Sequence, residues 1–112
     1  MLSTFEIVAE PSRRRILDLL RVENRAVGDL VREVGLAQPA ISKHLRILRE
    51  AGLVSAEVDA QRRLYRLQAG PLRELDEWVA PYRPHWDDRL DALERHLSTM
   101  VDGDAPARGR RR

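Results

Sequence analysis

The chain has 112 residues, 20 Lys and Arg against 18 Asp and Glu, and no cysteine. That length suits one domain with a modest core, and the lack of cysteine excludes disulfides, thiolate metal sites and cysteine nucleophiles. No apolar run approaches the ~18 residues of a membrane span, and Met1-Leu2-Ser3-Thr4-Phe5-Glu6 lacks the basic and apolar segments of a secretory signal; a cytoplasmic protein with no membrane partner is expected.

Ser3 and Glu6 have the spacing of a capping box, which starts a short helix running to about Ala9 with Phe5 and Val8 on one side. Pro11 restarts a helix at its first position, with Ile16, Leu17, Leu19 and Leu20 as its buried face. Arg13, Arg14 and Arg15 read as a solvated basic face paired with Glu10 and Asp18, a phosphate contact being the alternative. Val27, Leu30, Val31 and Val34 predict a third helix, ended by Gly35.

After a tight turn comes a helix over 38–51. Ile41, Leu45 and Leu48 recur at i, i+4, i+7, Pro39 suits the first turn, and Gly52 stands where a left-handed cap is wanted. Its opposite face carries Gln38, Ser42, Lys43, Arg46 and Arg49. Amide, hydroxyl and basic groups of this kind match the base edges and phosphates of a DNA major groove, whereas a merely solvated face is the plain alternative. A turn joining two helices, the second polar and basic outward, is a helix-turn-helix, and this favours DNA. His44 falls beside the apolar stripe and reads as packed or partly buried.

Val54, Ala56 and Val58 alternate with polar residues as a half-buried strand, and Leu64-Tyr65-Arg66-Leu67 is a second. The hairpin between them has a basic tip holding Arg62 and Arg63, a wing at about 59–64 that can reach phosphate or the minor groove. The fold class is thus mainly α with a small β-hairpin.

From 71 to 100 an apolar seam runs through Leu72, Leu75, Val79, Tyr82, Trp86, Leu90, Leu93, Leu97 and Met100, at coiled-coil steps. Pro81 and Pro84 predict a kink or two helices. A twofold partner helix would cover this seam; packing back on the chain's own first helices is the alternative. Trp78 and Trp86 read as core or interface anchors. Residues 102–112 have no apolar period and read as a disordered basic tail, leaving 1–101 as the folded domain.

Charge follows the same division. Residues 38–66 hold six Lys or Arg against three acids, and residues 67–101 four Arg against seven, so a polyanion is drawn to the middle of the chain and repelled by the region after it. No Ser-His-Asp set, paired catalytic carboxylates or Gly-rich phosphate loop stands out, so no enzyme is expected.

Glu10-Pro11-Ser12-Arg13, Val27-Gly28-Asp29-Leu30, the run from Gln38 to Leu45, the run from Leu48 to Val54, and Arg62-Arg63-Leu64-Tyr65-Arg66-Leu67 together resemble the ArsR family of bacterial winged-helix repressors, over roughly residues 5 to 100. The resemblance implies a winged helix-turn-helix with helical dimerisation elements at both ends. It implies a homodimer joined by its first and last helices, through residues such as Phe5, Trp86, Leu90, Leu93 and Leu97. The partner would be a double-stranded DNA operator, faced by Gln38, Ser42, Lys43 and Arg46 from the helix and by Arg62 and Arg63 from the wing.

The sequence departs from the family at its metal sites. Arg25-Ala26-Val27-Gly28-Asp29-Leu30-Val31 offers no sulfur ligand. His85 and His96 have the ten-residue spacing of a second family site, but Arg83 and Thr99 stand where acids would be, so no metal and no cofactor is expected. Ala37 stands where a capping Ser is common, and Ala60 where Gly often follows Asp, which predicts a looser wing loop. The expected function is a homodimeric transcriptional repressor; a winged-helix protein-interaction module and a metal- or small-ligand-responsive sensor are the alternatives.

Overall fold

The structure is a computed structural model that describes residues 2–100; the expected tail, 102–112, lies outside them. Helices α1 (Thr4–Ala9) and α2 (Pro11–Val22) lead to a two-residue strand, β1 (Arg25–Ala26). Helices α3 (Val27–Val34) and α4 (Gln38–Glu50) follow, then the hairpin strands β2 (Val54–Asp59) and β3 (Arg62–Leu67). Helices α5 (Arg73–Val79) and α6 (Arg83–Met100) close the chain. Two compact units emerge, residues 1–77 and residues from 78 onward.

In the first unit the predicted caps are present. Ser3 Oγ accepts the Glu6 amide at 3.1 Å while a Glu6 carboxylate oxygen accepts the Ser3 amide at 2.7 Å. Glu10 ends α1 and caps α2, its carboxylate taking the amides of Ser12 and Arg13 at 2.6 and 3.2 Å. One residue thus serves two helices, and the chain turns between them without a loop. The core gathers Ile7 from α1, Ile16, Leu17, Leu19 and Leu20 from α2, Leu30 from α3, and Ile41, Leu45 and Leu48 from α4. Leu53, Val54 and Tyr65 close it from the hairpin side. Each large side chain buried this way contributes roughly 1.5–3 kcal/mol.

The sheet corrects two expectations. It has three antiparallel strands in the order β1-β3-β2, not two: Arg25 pairs with Tyr65 and Ala26 with Leu64. A two-residue strand has no periodicity to read, so only the tertiary pairing reveals it. The wing loop is also tight, not loose. Pairing of β2 with β3 runs unbroken to Asp59 opposite Arg62, leaving only Ala60 and Gln61 between the strands. Ala60 takes φ +61 to close it. The twist of a two-residue turn matches that of its strands, and the full ladder offsets the ~1–2 kcal/mol that a side chain at positive φ costs. Arg62 and Arg63 consequently lie in β3 rather than in the loop.

The C-terminal stretch breaks at the prolines, as expected. A 3-10 turn, Ala80–Tyr82, separates α5 from α6, and Pro84 sits in the first turn of α6, where its missing N–H costs nothing. Trp78 and Tyr82 meet across this turn as a tilted pair, with ring centroids 5.3 Å apart and planes at 52°. Along α6, Trp86, Leu90, Leu93 and Leu97 are each about half exposed, at 48–54%. No helix among the described residues is long and apolar enough to cross a membrane.

Candidate nucleic-acid interface

Gly35 ends α3 at φ +83, donating its amide to the Val31 carbonyl at 3.0 Å. Leu36 packs partly against the core, Ala37 caps α4 with no side-chain acceptor, and the second helix begins at once. Three residues thus make the turn of a helix-turn-helix. α4 buries Ile41, Leu45 and Leu48 and exposes Gln38, Ser42, Lys43, Arg46 and Arg49. Among the described residues no ion pair occupies Lys43, Arg46 or Arg49. The exposed face is therefore a strip of uncommitted donors on a firmly seated helix.

The far end of that helix is equally well fixed. Leu53 donates its amide to the Leu48 carbonyl at 2.9 Å, Gly52 donates to Arg49 at 3.0 Å, and Gly52 takes φ +78. This is a Schellman closure, with Leu48 and Leu53 both buried as its apolar contact. The chain then enters β2 directly, so the hairpin starts at a set position relative to α4.

Arg62 and Arg63 are exposed on β3, opposite Asp59 and Val58. The wing's third basic residue, Arg66, is partly neutralised by Glu57 at 3.6 Å. Asp29, at the start of α3, holds its carboxyl below the ordinary value because it accepts the Ala26 amide; the charges of Arg32 and Arg62 act in the same direction against its desolvation. The wing arginine and the first helix of the motif are thus electrostatically in touch.

The expected solvated face at Arg13–Arg15 needs correction. Arg14 and Arg15 are exposed, but Arg13 is 8% exposed, the single buried charged residue among those described. Its Nε donates to the Ile7 carbonyl at 2.8 Å, and a terminal guanidinium nitrogen lies 3.4 Å from Nδ1 of His44. Spacing already carried the signal: Arg13, Ile16, Leu17 and Leu20 fall at i, i+3, i+4, i+7, on the apolar stripe. His44, expected to pack, is half-buried. Desolvation pushes its pKa below the ordinary value, with Arg13 and Lys43 adding to the effect and Glu10 opposing it. Arg25, inward from the wing, bonds Glu33 at 2.5 Å and lies 3.8 Å from Glu23, its Nε buried without a partner.

His85 and His96 are exposed on α6. Eleven residues of helix separate them by roughly 16 Å, too far for both to hold one ion within a single chain. Among the described residues, no group of three or more His, Cys, Asp or Glu is placed to hold a metal.

The model of the bacterial regulatory proteins of the arsR family matches residues 10–56. Over 90 residues the chain is 31% identical to the transcriptional repressor SdpR of Bacillus subtilis, covering 80% of this chain and all of that one.

The chain belongs to the ArsR family.

It is also 40% identical over 96 residues to the regulator NmtR of Mycobacterium tuberculosis, covering 86% of this chain and 78% of that one. Among solved structures, a possible transcriptional regulator for arsenical resistance superposes with a TM-score of 0.64 at 38% identity, covering 86% of this chain and 97% of that one. ArsR proteins are DNA-binding transcriptional regulators, not enzymes, and the three-stranded sheet with its helix-turn-helix is the winged fold of that family.

Proposed function

We propose that this ArsR protein is a homodimeric repressor that lays α4 in the major groove of its operator and sets the wing beside it. Gln38, Ser42, Lys43 and Arg46 read base edges or phosphates, and Arg62 and Arg63 hold the backbone next to the groove. The observation that carries this is the division of α4: three apolar side chains buried on one face, and an amide, a hydroxyl and three cations exposed on the other. Half-sites about one helical turn apart, ~34–36 Å, follow for a twofold dimer. Dimerisation uses the half-exposed Trp86, Leu90, Leu93 and Leu97 of α6 together with Phe5, which is 37% exposed on α1. A monomer would leave the apolar row of α6 in water, and a second copy covers it by symmetry. Residues 1–101 act as one DNA-binding and dimerisation domain in the cytoplasm.

The test begins by selecting duplexes from a random-sequence pool with the wild-type protein. Arg46→Ala is then titrated on the selected and on a scrambled duplex by fluorescence anisotropy. A loss of about 1–3 kcal/mol confined to the selected duplex is expected. Equal affinity of wild type and variant for both duplexes refutes the assignment of Arg46.

A further inference from the structure

Arg13 is a guanidinium taken out of water at the meeting point of three helices. It leaves α2 one turn from its start, bonds the Ile7 carbonyl near the end of α1, and faces His44 on α4. Glu10 fixes the root of the arrangement by accepting the Arg13 amide. A guanidinium can only donate. Its contact with Nδ1 therefore needs an imidazole that keeps a lone pair there, which is neutral His44 with its proton on Nε2. His44 is also far from the groove face: two residues from both Ser42 and Arg46, it stands about 160° around the helix from each. Arg13 is buried and His44 lies off the face of Ser42 and Arg46, yet the pair joins α4 to α1 and α2.

We infer that Arg13 is a positioning residue for operator recognition, holding α4 in its reading orientation through His44. This rests on the reading of α4 as the recognition helix. Base readout demands placement to within about 0.5 Å. The apolar packing that seats Ile41, Leu45 and Leu48 is non-directional, and the contact from buried Arg13 adds a direction to it. The charged groups acting on His44 are Glu10, Arg13 and Lys43. Protonation would set a second cation against Arg13 and remove the acceptor, so acid should release the clamp.

The experiment compares wild type, Arg13→Gln, His44→Leu and His44→Asn on a duplex selected by the wild type and on a scrambled one, at two salt concentrations and in a pH series running down from about 7.5 to the limit at which the wild type stays folded. Asn places an amide oxygen where Nδ1 was. Arg13→Gln and His44→Leu should lower affinity for the selected duplex on the order of tenfold, the scale of one mismatched base pair. Scrambled-duplex binding and its salt slope should hold. His44→Asn should lose less than His44→Leu, and wild type should lose selectivity as the pH is lowered below 6.5 and His44 takes up its proton, while both His44 variants do not.

A salt slope reduced by about one, with both duplexes weakened alike, would mean that Arg13 touches phosphate and would overturn the inference. An unchanged selectivity ratio in folded variants would make the pair structural only and overturn it too. Should Arg13→Gln fail to fold, the two His44 variants decide. If the wild type selects no duplex at all, the recognition-helix reading falls and this inference with it; selection without an effect of the variants sinks this inference alone.

Discussion

The amide of Leu53 bonds the carbonyl of Leu48 across Gly52, so the end of α4 and the start of the wing are one hydrogen-bonded unit. Gly52 makes this possible at φ +78. A Cβ there would meet only Pro71 Cγ at 3.7 Å, an ordinary contact, so the cost of Gly52→Ala is backbone strain rather than collision. A loss of about 1–2 kcal/mol is expected, read in urea as a lower midpoint with an unchanged slope.

Ala60 presents the reverse case. It holds φ +61 in the wing loop with a side chain that disfavours it. Ala60→Gly relieves the strain, partly offset by the greater freedom of glycine when unfolded, for a net gain of roughly 0.5–1 kcal/mol. Thermal unfolding should shift upward by a few degrees; a downward shift would show that the loop carries no such strain.

At the head of α4, Ala37 leaves the first turn without a side-chain acceptor. Pro39 has no amide to offer, which leaves the Ala40 N–H as the target for a serine oxygen. Ala37→Ser should therefore stabilise the protein toward the lower end of the ~0.5–2 kcal/mol range for N-caps. Slower amide exchange at Ala40 and Ile41, with a raised melting temperature, would show it.

Acid should weaken the fold in two separate steps. His44 has a folded pKa below its ordinary value of 6.5, burial being the main cause. Between the two values the unfolded chain binds the extra proton, so stability is complete above about 6.5 and falls as the pH drops below it. Glu6 is lowered by the Ser3 amide and then the Ser3 hydroxyl. Burial works against ionisation of Glu10, but the Arg13 and Ser12 amides outweigh it. Asp29 is lowered chiefly by the Ala26 amide. These carboxylates stabilise the fold above their ordinary values of 4.5 and 3.8, and that contribution is lost as the pH falls through their lower folded values. Melting temperatures measured from pH 8 to 3 should show both declines, and His44→Leu should abolish the upper one only.

What could be read in advance followed periodicity and punctuation. The apolar stripe of α4, bracketed by Pro39 and Gly52, marked its helix to within one residue, and the capping pair Ser3–Glu6 marked the start of α1. At Arg13 residue type and position disagree: an arginine suggests solvent, whereas its spacing puts it among Ile16, Leu17 and Leu20. At Ala60 loop propensity suggests an open turn, and the strand pairing overrides it. β1 is legible only from β3, a contact some forty residues away in the chain.

The short reach of β1 divides the hairpin mechanically. Its two residues fasten β3 at Leu64 and Tyr65 and go no further, so Arg62 and Arg63 stand on a two-stranded ribbon cantilevered from a three-stranded base. Fewer hydrogen-bonded neighbours hold the wing at its cationic end than where it meets the helices. On the proposed mode of binding, such a lever would follow a groove of varying width by bending outboard of Leu64, with little strain passed to α4.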